Sequence, residues 1–300
     1  MDRPPQIFDR RLLRARKAKA AGGMPRAEFL LEHAADDLAE RLSLISRRFG
    51  LGLDLGAHGR MLSDRLLQTG KIGRMLRGPP VAALAAGSGD VVICDEELLP
   101  FASASLDLVV SALTLQLVND LPGALAQIRR ALKPDGLFLA AMLGGRTLEQ
   151  LRAAFASAEI ALTGGLSPRV APFADVRDLG ALLQRAGFAL PVSDADVLTV
   201  TYADPLAVMT DLKAMGASNM LNERRKVPAT RALIAAAAEA YRQQFAMADG
   251  RVPATFEIVT LTGWSPHESQ QKPLRPGSAK TSLSSALSPS AKGGQDGVGD

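Results

Sequence analysis

Three short apolar runs, with a helical segment between the last two, constrain the fold of this chain most. The runs are GDVVIC, LDLVVSAL and LFLAAML, all between Gly89 and Gly145, and the segment VNDLPGALAQIRRAL has the spacing of an amphipathic helix. Short apolar runs that alternate with helices are typical of a parallel sheet buried on both faces. We therefore predict an α/β fold of Rossmann-like type, with helices on both faces of its sheet.

The remaining patterns extend this sheet in both directions. Apolar residues at helical spacing between positions 25 and 49 predict a helix laid on the sheet ahead of the first strand. The predicted strands cover residues 51–55, 72–76, 89–94, 106–112, 137–143 and 254–263, with a strand or hairpin at 188–202. The predicted helices cover 25–49, 60–68, 175–186, 205–215 and 229–247, and two more begin at Asn119 or Asp120 and at Thr147. Gln150 is placed to complete a capping box with Thr147, and Gly187 to end the helix before it.

Composition fits one compact domain with appendages. Hydrophobic residues make up 47% of the 300 residues, which is enough for a large core, and the 4% aromatic content leaves that core to Leu, Ala and Val. No run of about eighteen apolar residues is present, which disfavours a membrane span. The single cysteine, Cys94, excludes an internal disulfide framework and is expected to be a buried thiol. These features predict a cytoplasmic protein.

Three regions are expected along the chain. Residues 1–24 form a basic extension, residues 25–264 one domain with halves at 25–163 and 164–264, and residues 265–300 a low-complexity tail. The tail is rich in Pro, Gly, Ser and Lys, and we expect it to be disordered because it cannot bury enough apolar surface. Six of the ten residues from 10 to 19 are basic, which predicts a solvated N-terminal helix. Nucleic-acid binding and an organelle-targeting peptide are less favoured, and contact with an acidic protein stays open.

Two acidic residues stand where strands of such a sheet end. Asp54 ends the first strand ahead of a turn at Gly56, and Asp95 ends the third strand, followed by Glu96. In open α/β sheets the carboxyl ends of the strands border the crevice that binds ligands. A carboxylate at Asp95 can accept a hydrogen bond from an exocyclic amine, and the Glu96 N–H can donate to a ring nitrogen. The pattern therefore predicts a site for an adenine edge.

The order of these motifs resembles a known family. The DLG turn, DEELLPF, DLVVSALTL, VNDLP and LKPDGLF together resemble a class I S-adenosylmethionine-dependent methyltransferase with a seven-stranded sheet and extra C-terminal helices. FDRR, LGLDLG, GLSPRVAPFADVRDLGALLQRAGF, DLKAMGASN and PATFEIVTLTGW resemble, more specifically, the family of mitochondrial respiratory complex I assembly factor 5 and its bacterial relatives. That family is related to the malonyl-carrier-protein methyltransferase of biotin synthesis.

The resemblance implies a cofactor, a site and a partner. The cofactor would be S-adenosyl-L-methionine, bound by residues at the ends of the first, third and fourth strands. These residues are Asp54, Leu55, Gly56, His58, Asp95, Glu96 and Ser111. The implied partner is a protein substrate such as a respiratory complex I subunit, and the implied compartment is the mitochondrial matrix for a eukaryotic chain or the cytoplasm for a bacterial one.

The sequence departs from the methyltransferase pattern at three places. The glycine-rich turn D-x-G-x-G-x-G reads DLGAHGR, so His58 and Arg60 replace glycines. The second strand ends in GPP without the carboxylate that would hold the ribose hydroxyls. Losing such a charge-assisted hydrogen bond, worth about 1.5–3 kcal/mol, would weaken binding by about one to two decades. The family's His-Trp pair after the fourth strand is Gln116 and Leu117.

The acceptor site and the metal content are less constrained. Tyr202, Ser218 and Asn219 could line an acceptor pocket built by the C-terminal helices, or they could be core and turn residues. His33, His58 and His267 show no short-spaced pair, so we expect no metal site. No catalytic residue can be assigned.

Three functions follow from these observations. The leading hypothesis is a methyltransferase that acts on an unidentified acceptor, which could be a protein side chain. The alternatives are an arginine hydroxylase of complex I assembly, and a non-catalytic assembly chaperone with a degenerate cofactor site.

Overall fold

A mixed seven-stranded sheet forms the centre of the molecule. The computed structural model describes residues 6–21 and 28–270. The strands are β1 (Phe49–Leu55), β2 (Ile72–Gly78), β3 (Asp90–Val91), β4 (Leu106–Ala112), β5 (Leu132–Leu143), β6 (Ala189–Tyr202) and β7 (Val252–Trp264). Their order is β3-β2-β1-β4-β5-β7-β6; β1 to β5 run parallel, and β7 lies antiparallel between β5 and β6. The predicted Rossmann-like, seven-stranded sheet is confirmed.

Eight α-helices flank this sheet in the described residues. They are α1 (Arg10–Ala20), α2 (Phe29–Leu44), α3 (Met61–Gln68), α4 (Leu121–Ala131), α5 (Glu149–Thr163), α6 (Val176–Arg185), α7 (Pro205–Ala214) and α8 (Arg231–Phe245). Alternating residues of β4 divide the core: Leu108 and Val110 pack with α2 and α3, whereas Leu106 and Val109 pack with α4 and α6. Helices therefore cover both faces, as predicted. The extra C-terminal helices α7 and α8 pack with α5 and the ends of β6 and β7.

The third strand is much shorter than the pattern predicted. Only Asp90 and Val91 form a ladder with β2, whereas a strand was expected over 89–94. Beyond β2 the chain continues as Pro79 and Pro80, which have no N–H to donate and cannot extend the ladder. Single bonds from Val92 N to Arg77 O and from Cys94 N to Pro79 O still guide residues 92–94 toward the same edge of the sheet.

The capping box predicted at Thr147 and Gln150 is wrong. Helix α5 begins after Leu148, which adopts a left-handed backbone (φ 56°) and makes no side-chain cap. Both side chains bond to residues of β7 instead. Thr147 Oγ1 bonds to the Glu257 backbone N–H and C=O, while the Gln150 amide donates to Thr255 Oγ1 (2.6 Å) and accepts from Thr255 N (3.1 Å).

The basic N-terminal helix is packed, not solvated. Leu13, Lys17 and Ala20 of α1 are buried, and Asp9 caps the helix by accepting from Leu12 N. Phe8 pairs with Leu221 as an isolated bridge and belongs to a small core with Leu13. The expectation of a solvated helix is therefore wrong, because an acidic partner for α1 lies within the same chain.

Some boundaries predicted from sequence stay predictions. The border at 24/25 and nearly all of the low-complexity tail lie outside the described residues. Within residues 6–21 and 28–270, no helix has the length and apolar character needed to cross a membrane.

Replacing Gln150 with Met tests the tie between α5 and β7. The buried N–H of Thr255 would lose its acceptor, so we expect the free energy of unfolding to fall by about 1–3 kcal/mol in urea titrations. Gln243→Met is the matched control, because Gln243 is exposed on α8 and its side-chain amide donates to Glu239 on the same helix. Equal stability of the two variants would contradict a structural role for this pair.

Candidate functional site

The exits of β1 and β4 meet at the carboxyl edge of the sheet, where the strand order reverses. Open α/β sheets bind ligands at such a switch point. Gly56 turns the chain after β1 with a left-handed backbone (φ 78°), and its N–H donates to Gly78 O at 2.9 Å. A Cβ on Gly56 would lie 2.2 Å from Thr114 Cγ2. Glycine is therefore required here both by the turn and by the close approach of the segment after β4.

The hydroxyl of Thr114 joins three parts of the site. Thr114 is fully buried, and its Oγ1 lies 3.0 Å from Lys17 Nζ, 3.1 Å from His58 Nε2 and 3.3 Å from Gly56 O. One arrangement satisfies all four groups: Lys17 and the His58 Nε2–H donate to the hydroxyl, whose own proton goes to Gly56 O. Thr114 therefore links helix α1 to the turns after β1 and β4.

The side chains of His58 and Lys17, both next to Thr114, are shielded from solvent. Desolvation, and then the neighbouring positive charge of Lys17, lower the pKa of His58 to about 3. The imidazole is consequently neutral at physiological pH. Burial also lowers the pKa of Lys17, while Glu96, 4.0 Å away, opposes that shift.

An acidic cluster after β3 holds the arginines of α1. Asp95 Oδ1 accepts from Arg10 Nη2 at 2.7 Å; Arg10 also bonds to Glu96, and Arg14 bonds to the second Asp95 oxygen. Glu96 is buried, and Glu97 lies 3.8 Å from Arg10 Nε. Burial alone would raise the pKa of Asp95, but the Glu97 N–H and the two guanidinium groups outweigh it and lower the pKa. The cluster is therefore an ion-pair network between α1 and the strand exit.

Asp54 is buried below the turn rather than facing the acidic cluster. It accepts a hydrogen bond from Ser63 Oγ at 2.8 Å. Burial raises the pKa of Asp54 to about 7, against the hydrogen bond from Ser63 and the charge of Arg77. Asp54 borders a very small cavity together with His58 and Gly59. Its side chain therefore ties the end of β1 to α3.

The end of β2 carries a buried cation instead of a carboxylate. Arg77 is 3% exposed and donates to the carbonyls of Gly59, Ala85, Ala86 and Gly87 at 3.0–3.4 Å. These bonds fix the loop after β2 against the turn after β1. The second strand thus ends in GPP without the ribose-binding carboxylate of the family pattern, and Arg77 just before it forms a backbone clamp.

A large cavity opens beside Thr114. Its volume is about 750 Å³, and it reaches the exits of β1, β4 and β5 at His58, Leu113 and Leu143. Helix α1 forms one wall with Leu12, Leu13, Arg16 and Lys17, and the segment before α8 forms another. Pockets of about 300–1,000 Å³ are typical of small-molecule sites. The cavity therefore joins the switch point of the sheet to the C-terminal helices.

The structure separates the site residues predicted from sequence into three groups. Asp95 and Glu96 lie together under α1, and Gly56 and His58 lie together at Thr114. Ser218 and Asn219 line the cavity, and their carbonyls accept hydrogen bonds from Arg16.

The other predicted site residues lie away from the cavity. The buried Ser111 hydroxyl donates to Leu55 O at 2.9 Å, which ties β4 to β1. Tyr202 packs in the C-terminal core and is not among the residues that line the cavity. Burial, together with Asp211, raises the pKa of its hydroxyl.

Sequence reasoning missed Arg10, Arg14, Lys17 and Thr114. The signal was present in the chain: Arg10, Arg14 and Lys17 recur at i, i+4 and i+7, on one face of a helix, and the run DEE follows β3. Within residues 6–21 and 28–270, no group of three or more His, Cys, Asp and Glu side chains is placed to hold a metal ion.

Comparisons with known proteins agree on one family. Residues 75–140 match the methyltransferase domain model. The human protein named arginine-hydroxylase NDUFAF5, mitochondrial, is 42% identical over 285 residues, which covers 92% of this chain and 82% of that protein. The malonyl-[acyl-carrier protein] O-methyltransferase of Laribacter hongkongensis is 35% identical, with 90% and 94% coverage.

A solved structure supports the fold. A Bacillus halodurans protein with a provisional methyltransferase assignment superposes with a TM-score of 0.52 at 13% identity, covering 76% of this chain and 97% of its own. At that level of identity the likeness concerns the fold alone.

Replacing Asp54 with Asn tests the buried carboxyl through the pH dependence of stability. The native pKa of about 7 exceeds the unfolded value, so native Asp54 keeps its proton between about pH 4 and 7 while the unfolded chain releases it. Wild-type stability therefore falls as pH rises through this window, by up to about 4 kcal/mol from this residue. We expect the stability of the variant relative to wild type to increase by a few kcal/mol between about pH 5 and 8 in urea titrations.

The exposed Asp178 provides the control for this experiment. The variant Asp178→Asn removes a carboxylate from the first turn of α6 and should leave the pH dependence unchanged. A constant difference between Asp54→Asn and wild type at every pH would show that Asp54 has an ordinary pKa.

Proposed function

From the premise that this chain belongs to the methyltransferase family that includes NDUFAF5 and the malonyl-[acyl-carrier protein] O-methyltransferases, we propose that it is an S-adenosylmethionine-dependent methyltransferase. The observation that supports this most directly is the position of the large cavity. It opens on the exits of β1 and β4 at His58 and Leu113, and its lining residue Lys17 lies 4.0 Å from Glu96 of the acidic cluster. A cofactor at the switch point and an acceptor in the cavity would therefore be neighbours.

The chemistry of the residues present fits the cofactor on the adenine side. The Asp95 carboxylate can accept from an exocyclic amine, and the Glu96 backbone N–H can donate to a ring nitrogen. Space is open beside the turn at Gly59, where a Cβ would meet no atom within 4 Å. Asp95 and Glu96 are, however, bonded to Arg10 and Arg14 in this structure. An amine that binds the Asp95 carboxylate would therefore compete with Arg10 and Arg14 of α1.

The protein's contribution to methyl transfer is mainly positioning. The bound cofactor would supply an activated methyl group, so catalysis rests on holding the acceptor in line and keeping water out. Much of the cavity lining is apolar, and Thr114 bonds to His58 and Lys17 at the turn. Neutral His58 adds no positive charge beside a cationic cofactor, and Glu96 compensates the charge of Lys17.

A second candidate is modification of an arginine side chain. The supporting observation is that Asp95 and Glu96 already bind a guanidinium, that of Arg10, and the 42% identical relative is named an arginine-hydroxylase. The protein substrate would be a respiratory complex I subunit. The position of α1 over Asp95 also favours, as a third candidate, an assembly role without catalysis. In each of these roles the protein would act in the cytoplasm of a bacterium, or in the mitochondrion if the chain is eukaryotic, as in the name of the human relative.

Mass spectrometry of complex I subunits from a strain without the gene separates these candidates. Loss of a methyl group from one subunit supports methylation, and loss of one oxygen from an arginine supports hydroxylation. Failed assembly with unchanged subunit masses would favour the role without catalysis.

Calorimetric titration with S-adenosylmethionine tests the cofactor site directly. We expect wild type to bind, and Asp95→Ala to bind at least about tenfold more weakly because it loses the contact to the amine. The double variant Arg10→Gln/Arg14→Gln should bind severalfold more tightly, since α1 no longer competes for the carboxylates. The control Arg11→Gln/Lys19→Gln changes exposed cations of the same helix and should match wild type. Absence of binding in both wild type and the arginine double variant would refute the cofactor assignment.

A further inference from the structure

We propose that the acidic cluster after β3 holds one wall of the large cavity in place through residues 6–10, so that a ligand that takes the Asp95 carboxylate loosens that wall. The wall concerned is the wall segment, residues 216–229 before α8, of which 216–221 and 224–229 line the cavity. The inference rests on the proposed function only in naming that ligand as the cofactor. It adds a coupling between the cofactor side of the site and the cavity.

The wall segment depends on other parts of the chain for its conformation. Residues 216–229 form turns and bends, with a single isolated bridge at Leu221 and no helix or strand. Among the described residues, the hydrogen bonds from positions 220–224 to the rest of the chain all go to residues 6–9. Segments of this kind open locally when their few partners move. Residues 6–9 therefore set the position of this part of the wall segment.

A short antiparallel pairing joins the two segments. The Asn222 N–H donates to Ile7 O at 2.9 Å, and the Asp9 N–H donates to Met220 O at the same distance. Apolar side chains from both sides form a small buried core: Phe8, Leu13, Met220 and Leu221. The start of α1 and the wall segment thus pack as one unit.

Asp9 adds an electrostatic tie to this pairing. Its Oδ1 accepts from Leu12 N at 2.9 Å and caps α1, while its Oδ2 accepts from Arg224 Nη2 at 3.1 Å. The same carboxylate also attracts the positive charges of Arg16 and Lys226. The residue that caps α1 therefore also compensates positive charge on the wall segment.

The other side of the same short stretch rests on the acidic cluster. Arg10 follows Asp9 directly, and its Nη2 donates to Asp95 Oδ1 at 2.7 Å and to Glu96. Arg14, one turn further along α1, bonds to the second Asp95 oxygen. Residues 6–10 therefore lie between the acidic cluster and the wall segment and contact both.

A second set of contacts supports the same stretch without these arginines. Glu97 accepts from the Asn119 N–H, and Asn119 Oδ1 accepts from the Phe8 N–H at 2.7 Å. Further along α1, Lys17 Nζ lies 4.0 Å from Glu96 Oε1. A ligand that displaces the two arginines therefore loosens the wall segment without detaching it.

The displacement is transmitted because the two contacts are adjacent in the chain. The Arg10 side chain is 11% exposed, so its release into solvent requires the start of α1 to shift. Asp9 precedes it and makes two of the bonds to the wall segment. Coupling of binding free energies is reciprocal. Whatever fills the cavity and shifts the wall segment therefore changes the affinity at Asp95 by the same factor.

Hydrogen exchange of the full chain, measured without cofactor, tests this coupling. Arg10→Gln/Arg14→Gln removes the ion pairs to Asp95 without changing any residue from 220 to 224. We expect the N–H groups of Asn222 and Asp9 to exchange about three- to tenfold faster than in wild type. Asp95→Ala removes the same pairs from the opposite side, and its effect should be smaller because Arg10 keeps its bond to Glu96.

The control variant and an internal reference isolate the effect. Arg11→Gln/Lys19→Gln removes two exposed cations of α1 and should leave exchange at Asn222 unchanged. The Phe49 N–H, which bonds to Lys71 O at 2.8 Å at the start of β1, should exchange equally in all variants. A rise confined to α1 would overturn the inference, because the helix and the wall segment would then move separately. An equal rise at Phe49 would also overturn it, since the arginines would then support the whole fold.

S-adenosylmethionine separates this inference from the proposed function. If it takes the Asp95 carboxylate, a saturating concentration should raise exchange at Asn222 in wild type. Faster exchange in the arginine double variant, with neither binding of S-adenosylmethionine nor a response to it, would keep the coupling and refute the cofactor assignment. Unchanged exchange at Asn222 in the variants, or in wild type with S-adenosylmethionine bound, would overturn the coupling.

Discussion

The contact between Gly56 and Thr114 is the constraint on which the site depends. It brings the exits of β1 and β4 so close that a single added methyl group would lie 2.2 Å from the threonine side chain. Thr114 uses this proximity to bind Gly56 O, His58 and Lys17 through one hydroxyl. The switch point of the sheet, the degenerate glycine turn and the N-terminal helix are therefore held by the same residue.

Helix α1 performs two tasks that oppose each other. Its Arg10 and Arg14 bind the Asp95 carboxylate, which an adenine edge would use, while its Leu12, Leu13, Arg16 and Lys17 build one wall of the cavity. If cofactor binds only when the arginines let go, its apparent dissociation constant is the intrinsic one divided by the fraction of molecules in that state. A helix that leaves completely would also dismantle the cavity wall. A small shift that frees Asp95 while keeping Lys17 in place reconciles the two tasks.

The sequence predicted most of the sheet because its short runs are almost entirely apolar and alternate with helices. Residues 106–112 form β4 as expected, and the helix capped by Asp120 begins where predicted. The errors arose where tertiary partners decided the outcome. Gln150 does not cap the helix end. It bonds to Thr255 of β7, which is more than a hundred residues away in sequence. Likewise, the arginines of α1 face Asp95 and Glu96 only after the chain has folded, so local patterning described them as solvent-exposed.

The missing carboxylate after β2 changes how strongly α1 and cofactor would be coupled. In its place, Arg77 clamps four backbone carbonyls and Pro79 and Pro80 end the strand. The negative charge on this side of the described site then comes from Asp95, Glu96 and Glu97. The same Asp95 that would bind the amine also forms ion pairs with Arg10 and Arg14. With a ribose carboxylate absent, a larger share of the binding free energy of the proposed cofactor would come from Asp95, for which α1 competes, so any change that moves α1 would have a correspondingly larger effect on affinity.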